Sequence, residues 1–301
     1  MNKIHRNILA CCALMEALSF TACKKDVTPY SPGEGKTASL AFYGASQTFT
    51  AYGNKGGVGI FIDTAPFGDA TIGDFLPDVP YFSFTKEQNV AYPFVINQPD
   101  AVLYEGFKSG DHKVSFAYLQ GAMVQTLKDT SFELAPDSRN ILYLTDAPAA
   151  EGADAVYQTV LVPEPAAGGA NMDKVNVKLV HLSADAGTVR ASMVRADNQS
   201  ELFAGLPQQL AFGSYSDYIP LDTAGTIRDG QLVLHIYKQG SATPILVGIP
   251  AQLGHGFEVL LTGMAEPHSR RLATGTDTDG NPQYQQVTLP VGLNTVVRQM
   301  Y

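Results

Sequence analysis

The chain has 301 residues and a formal net charge of −9, with 45% apolar and only 16% charged residues. This composition provides enough apolar material for a core and is not typical of a disordered chain. Basic residues adjoin one another only at Lys24-Lys25 and Arg270-Arg271, which argues against binding to a nucleic-acid backbone.

The first 22 residues have the layout of a secretory signal. Lys3 and Arg6 precede an apolar stretch from Ile8 to Phe20, which is too short to span a bilayer. The segment Phe20-Thr21-Ala22-Cys23 that follows resembles the bacterial lipobox. That resemblance implies cleavage before Cys23 and diacylation of its sulfur, and two acyl chains suffice for stable anchoring. We therefore expect the chain to attach to its partner, a membrane, through lipid on Cys23.

Residues 23–36 are predicted to be a flexible tether, because they are polar, contain Pro29 and Pro32, and have no hydrophobic period. The start Cys-Lys-Lys-Asp is similar to that of lipoproteins of the Bacteroidota, which implies a cell-envelope location, with the outer membrane expected. All three cysteines lie within the first 23 residues. The folded part is therefore expected to have no disulfide, no thiolate metal site and no cysteine nucleophile.

From Thr37 onward, short alternating runs rich in Val, Ile, Phe and Tyr are separated by Gly, Pro, Asp or Asn. Three of them are Val114–Tyr118, Leu232–Tyr237 and Phe257–Leu261. Strands of this length at regular spacing predict an all-β fold, a sandwich or a barrel.

The stretch 164–174 has little apolar content and is predicted to be a linker. On both sides of it, a strand, a polar crossover, a short strand and a long strand follow in the same order. We therefore expect a tandem duplication, with antiparallel β-sandwich domains at 37–163 and 175–301.

The second half resembles the bacterial family known as domain of unknown function 4397. The resemblance rests on Val177–Ala186, Leu202–Leu206 and Phe212–Tyr218, with Ala184 and Gly187 in place of two customary prolines. It covers roughly residues 175–265, and the first half matches only weakly. It implies an immunoglobulin-like sandwich on exported proteins, and it implies no established activity or site residues.

Two motifs could carry chemistry. His181, Ser183 and Asp185 combine the residue types of a catalytic triad, but alternate residues of one strand lie about 6–7 Å apart, which favours a turn. The segment Asp277-Thr-Asp279-Gly-Asn281 resembles a calcium loop, but Pro282 occupies its sixth position, so a hairpin turn is favoured. No catalytic residue, metal site or cofactor is predicted.

Residues 66–84 contain five aromatic residues and three aspartates. This stretch is long for a connection in a sandwich. It is predicted either to present a binding patch or to cap the first sandwich.

The leading functional prediction is a lipid-anchored, non-catalytic binding or interaction module of the cell envelope, with a glycan or protein partner and an unknown ligand site. The alternative is a structural fimbria-like or adhesin subunit, and a hydrolase ranks third. Sandwich folds host many roles, so this prediction rests on protein class.

Overall fold

The structure, a computed structural model, describes residues 36–53, 57–63, 81–85, 88–94, 102, 104–120, 123–165, 171–203, 205–279 and 281–301. The predicted signal peptide, Cys23 and the tether up to residue 35 lie outside the described residues. Residues 36–301 form one compact unit.

The prediction of an all-β fold is confirmed. The strands of the first half are β1 Thr37–Gly44, β2 Gly57–Ile62, β3 Tyr81–Thr85, β4 Gln88–Phe94, β5 Glu105–Lys108, β6 Gly110–Gln120, β7 Met123–Leu134, β8 Arg139–Asp146 and β9 Tyr157–Glu164. Those of the second half are β10 Val175–His181, β11 Val189–Val194, β12 Glu201–Leu202, β13 Ile219–Leu221, β14 Ile227–Arg228, β15 Gln231–Lys238, β16 Ile245–Pro250, β17 Gly256–Thr262, β18 His268–Thr276, β19 Pro282–Leu289 and β20 Asn294–Gln299. Within the described part of the chain, the one helix is the short α1, Gln47–Gly53.

The two halves repeat one strand arrangement. One sheet has the order β5-β1-β8-β9 and another the order β13-β10-β17-β20. In each, the central pair is parallel and both outer pairs are antiparallel. Two further sheets also correspond. In one of them β6 lies between β2 and β7, and in the other β15 lies between β11 and β16.

Most strand pairs are antiparallel, as predicted, but β1 with β8, β10 with β17, and β2 with β3 are parallel. Parallel neighbours require a crossover connection, and in both halves the intervening chain builds the other sheet before it returns. Strand β9 extends to Glu164, which the sequence placed in the linker. The division into tandem immunoglobulin-like domains at 37–163 and 175–301 stays a prediction.

The sheets stack in four layers around three cores. The first core lies between the β2–β6–β7 sheet and the β1–β8 sheet, with Leu40 and Phe116 fully buried. The core at the opposite end of the stack lies between the β10–β17 sheet and the β11–β15–β16 sheet, with Leu179 and Leu234 buried. The middle core lies between the β1–β8–β9 sheet and the β10–β17–β20 sheet. We call it the shared layer.

The two central sheets are therefore buried on both faces. In β1, Leu40 and Phe42 enter the first core, whereas Ala41 and Tyr43 enter the shared layer. This explains the continuous apolar runs of β1 and β8, whereas β10 and β17 also carry the buried charges of Lys178 and Glu258. Because both faces of each central sheet are buried, the apolar side chains on the second face are also removed from water, which stabilises the stack.

The shared layer contains two buried ion pairs. Arg298 of β20 donates to Glu258 of β17, and Tyr143 of β8 donates to the same carboxylate at 2.6 Å. In the same cross-strand row, Lys178 of β10, the register partner of Glu258, donates to Glu164 of β9 at 2.7 Å. All four charged side chains are 3% exposed or less. Because each cation has its carboxylate in the layer, no net charge is buried there by these four groups.

The β18–β19 hairpin belongs to the second half by sequence but packs on the first. Leu272 is fully buried within the first core, and Val287 packs against that core. The backbone of Arg271 bonds to Ala153 and Ala155 at 2.8 and 3.1 Å, which aligns the hairpin with the β8–β9 connection. The first core is thus completed by residues that follow it by more than a hundred positions.

The Glu258–Arg298 pair should be essential for stability. Glu258→Gln would leave the Arg298 guanidinium buried without its carboxylate, and we expect a loss of about 3–5 kcal/mol in unfolding free energy. The double variant Glu258→Leu with Arg298→Met should be more stable than the single variant, because it buries no unpaired charge. Denaturant titration measures both.

The matched control is Asp154→Asn, which breaks the exposed pair with Arg271, whose side chains are about half exposed. It should change stability little. A Glu258→Gln effect no larger than that of this control would contradict the importance of the buried pair.

Candidate functional site

The triad-like residues His181, Ser183 and Asp185 do not form a triad. The Ser183 hydroxyl donates to Asp185 at 3.3 Å, and the Ser183 backbone N–H, not its hydroxyl, donates to His181 Nδ1 at 3.3 Å. The other ring nitrogen of His181 bonds the Gly187 carbonyl at 2.7 Å. Burial lowers the pKa of His181, which favours the neutral ring with Nε2 as the donor. Both ring nitrogens serve backbone groups, so this geometry supports the predicted turn.

Asp185 stabilises a different connection. Its carboxylate accepts the backbone N–H of Ala265 at 2.7 Å and of Glu266 at 2.9 Å, and it also contacts His268 Nε2 at 2.9 Å. Burial acts to raise the pKa of Asp185, but these hydrogen bonds outweigh it, so the pKa is lowered. Asp185 therefore holds the segment between β17 and β18 against the end of β10.

Asp185→Asn should destabilise the protein in a pH-dependent way. Since the folded pKa of Asp185 is lowered, its carboxylate stabilises the fold above the unfolded pKa of about 3.9, and that contribution is lost as pH falls through the folded pKa. We expect a loss of about 1–3 kcal/mol at pH 7 that shrinks below pH 4. Unfolding titrations at pH 3 and pH 7 measure it, with Asp217→Asn as an exposed control. A loss that is equal at both pH values would contradict this role.

The candidate calcium loop is a turn. Asp277 Oδ1 accepts the backbone N–H groups of Asp279 at 2.9 Å and Asn281 at 2.8 Å, and its Oδ2 accepts the Asn281 amide. An aspartate that caps its own turn in this way is typical of a hairpin end. Among the described residues, no group of three or more His, Cys, Asp or Glu side chains is placed to hold a metal ion.

The aromatic stretch 66–84 is only partly described. Tyr81–Thr85 forms β3, which pairs with β2, so the end of the stretch is a strand of the sheet and not a loop. Residues 66–80 lie outside the described residues, and the choice between a binding patch and a cap stays open.

Two segments that carry the family resemblance lie side by side. The backbone N–H of His181 donates to Ser214 at 2.9 Å, and that of Gly213 donates to His181 at 2.8 Å. Gly213 has a φ of 75°, and a Cβ there would meet the side chain of Gln158 at 2.2 Å. This packing makes the Phe212–Tyr218 segment follow β10 and brings its last two residues, Asp217 and Tyr218, to the end of the shared layer.

An open cavity of about 330 Å³ lies at this end of the shared layer. We call it the tyrosine cavity. Its lining combines aromatic rings, proline rings, amides, an ammonium and a carboxylate, namely Pro165, Asn171, Asn176, Lys178, Asp217, Tyr218, Pro220 and Tyr301. This volume lies within the range of small-molecule sites.

Tyr218 is held by the buried ion pair. Its hydroxyl donates to Glu164 Oε2 at 2.8 Å, while the Lys178 ammonium donates to Glu164 Oε1 and lies 4.6 Å from the centre of the Tyr218 ring. Lys178 also donates to the Pro163 carbonyl at 2.7 Å. Burial raises the pKa of Tyr218, and the neighbouring Glu164 adds to this, so the phenol stays neutral. The ring orientation is therefore set by both halves of the chain.

Tyr301 forms the second aromatic wall. Its ring centre lies 5.4 Å from that of Tyr218, and the two rings are tilted by 57°. The ring sits directly over Gly256, where a Cβ would come within 2.2 Å of it. Any side chain at position 256 would therefore displace this wall.

Asn176 supports the floor of the cavity. It is 3% exposed, and its amide accepts the Asn171 N–H at 3.2 Å and donates to the Asn171 carbonyl at 3.1 Å. These bonds fix the turn that precedes β10. Asp217 lies at the exposed rim, where its carboxylate is open to water.

A second polar cluster lies on the outer face of the β11–β15 sheet. Glu201 accepts the Tyr237 hydroxyl and contacts His235 Nδ1 at 3.3 Å, while the guanidinium of Arg190 lies 3.8 Å from the centre of the Tyr237 ring. Its members bond mainly to one another across adjacent strands. The cluster therefore serves to attach the two-residue strand β12 to its sheet.

Sequence reasoning did not find the tyrosine cavity. The Phe212–Tyr218 segment was quoted only as a family signature, and Tyr301 was not singled out, because it meets Tyr218 only in the folded chain. The Phe212–Tyr218 segment is therefore the only one of these two features that the sequence itself points to.

Within the described part of the chain, no helix is long and apolar enough to cross a membrane. No protein-family model matches the sequence, and no curated protein matches it significantly. The resemblance to domain of unknown function 4397 therefore stays a prediction that rests on the quoted segments.

Proposed function

We propose that this chain is a lipid-anchored protein of the bacterial cell envelope that acts as a non-catalytic binding module, with the tyrosine cavity as its ligand site. The signal layout, the lipobox-like segment and the polar tether support the anchoring and the expected outer-membrane location. The observation that carries the binding role is the cavity itself, whose two tyrosine walls are held by a buried ion pair and by a glycine.

The construction of the cavity favours binding over a purely structural role. Tyr218 is fixed from behind by Glu164 and Lys178, and Tyr301 packs over Gly256 with its carbonyl bonded to the Gly256 N–H and to His255 Nδ1. A site whose rings are held before the ligand arrives loses less entropy on binding. The three residues that suggested hydrolysis are engaged in turn hydrogen bonds, which also favours a non-catalytic role.

Membrane attachment is tested by Cys23→Ser in the full-length gene. Lipid on Cys23 is the only proposed anchor, so the variant should move from the membrane fraction to the soluble fraction, as measured by fractionation and blotting. Cys12→Ser is the matched control and should leave the protein in the membrane fraction. Continued membrane association of Cys23→Ser would contradict the anchoring proposal.

The binding site is tested by thermal-shift screening of the full chain in detergent. The probes are a mixed library of nucleotides, amino acids, short peptides, fatty acids and mono- and oligosaccharides. A ligand that binds only the folded state raises the melting temperature with concentration. We expect at least one class to do so for the parent protein and to lose its effect in Tyr301→Ala.

The control for this screen is Tyr284→Ala, which removes a half-exposed tyrosine on β19, away from the cavity lining. It should keep the shift. The binding proposal is wrong if no probe shifts the melting temperature, or if every shift is the same in Tyr301→Ala as in the parent.

A further inference from the structure

We infer that the tyrosine cavity selects a neutral carbohydrate, one or two sugar rings in size. This inference rests on the proposed binding function and adds the chemical class of the ligand. It is carried by the geometry of the two rings, by the state of the charged groups around them, and by the polar groups at the rim.

The arrangement of the rings argues against a flat aromatic ligand. Tyr218 and Tyr301 are tilted by 57° with their centres 5.4 Å apart, so they contact each other at an angle. A nucleobase held between two rings needs roughly parallel walls about 7 Å apart, twice the aromatic contact distance of about 3.5–4 Å, and this pair of rings does not provide them. An angled pair instead offers a concave apolar corner, which suits the puckered C–H face of a sugar ring.

The charged groups argue against an anionic ligand. The Lys178 ammonium is 3% exposed and already donates to Glu164 and to the Pro163 carbonyl. A charge satisfied in this way has little capacity left to bind a phosphate or carboxylate. The Asp217 carboxylate at the rim repels anions further.

The same groups argue against a cationic ligand. A quaternary ammonium would need the open face of an aromatic ring, but the Lys178 ammonium lies 4.6 Å from the centre of the Tyr218 ring and 5.9 Å from that of Tyr215. Lys178 covers one face of the Tyr218 ring, so a second cation could bind that face only by displacing it. Asp217 at the rim would attract a cation, which is why cationic probes enter the test. With the Tyr218 face taken and anions disfavoured, a neutral ligand fits the cavity best.

The rim supplies the hydrogen-bonding groups that hydroxyls require. Asp217 offers two carboxylate oxygens as acceptors, and Asn171 offers an amide that can donate. A carboxylate and an amide beside aromatic rings can bind neighbouring hydroxyls while the rings cover the apolar face of the sugar. The volume of about 330 Å³ is at the lower end for ligand pockets and limits the ligand to a short unit.

The test is saturation-transfer NMR and titration calorimetry on the full chain in detergent. The neutral probes are glucose, galactose, mannose, N-acetylglucosamine and their β-linked disaccharides. Glucuronic acid and glucose 6-phosphate are the anionic counterparts, and glucosamine and choline are the cationic ones. We expect at least one neutral probe to bind and every charged counterpart to bind about fivefold or more weakly at low salt.

Variants distinguish the role of the rings. Tyr301→Ala and Gly256→Ala should each weaken the best neutral probe about tenfold, equivalent to roughly 1.4 kcal/mol. Tyr301→Phe keeps the ring and should stay within about threefold of the parent, and Tyr284→Ala should be unchanged. Circular dichroism and melting curves identify any variant that has not folded. Asp217→Ala, at an exposed rim position, then keeps the test valid, because loss of this acceptor should also weaken the best neutral probe.

The outcomes separate this inference from the function on which it rests. If a charged, peptidic or nucleotide probe binds in a Tyr301-dependent way and no neutral sugar does, the carbohydrate inference is overturned and the binding function stands. If no probe of any class depends on Tyr301, both are overturned.

Discussion

The stack of sheets depends on two ion pairs that are almost completely buried. Glu258 with Arg298 and Glu164 with Lys178 lie in the shared layer, where an unpaired charge would be costly. Glu258 and Arg298 are cross-strand neighbours in one sheet, and the Tyr143 hydroxyl links them to the other sheet. Glu164 and Lys178 come from different sheets, so this pair forms only when the two central sheets meet in one register. Apolar contacts such as Val180 with its neighbours would tolerate a small slip, whereas the charged groups would not. We regard the Glu164–Lys178 pair and the Tyr143–Glu258 hydrogen bond as the contacts that fix how the halves are aligned, because a misaligned layer would leave Lys178 and Glu164 buried without a partner.

This alignment explains where the cavity lies. Glu164 comes from the first half, whereas Lys178 and Tyr218 come from the second, and one carboxylate bonds both. The orientation of the Tyr218 ring is thus a consequence of sheet stacking and not of its own loop alone. A binding site at the boundary between similar halves can differ from both of them, because each half contributes residues that the other lacks.

Much of the fold could be predicted from the sequence, for identifiable reasons. Runs such as Leu232–Tyr237 alternate cleanly because that strand has one core face and one outer face, so their period gives the strand and its orientation. Val175–His181 is buried at every position, but its apolar residues are interrupted by Asn176 and Lys178, which predicts a strand with one exposed face and not the layer that covers that face. The turn assigned to Asp277–Asn281 followed from local side-chain chemistry. The partners of Lys178 and Tyr143 could not be predicted, because they are set by stacking between segments that are distant in the chain.

The β18–β19 hairpin delays completion of the first core during synthesis. Leu272 and Leu289 belong to the last part of the chain. Of these two residues, Leu272 lies in the first core and is fully buried there. Strands β1 to β9 are made first, and their core lacks Leu272 and Val287 until the ribosome has passed the hairpin. The last side chains of the first core therefore arrive only when nearly all of the chain has been made.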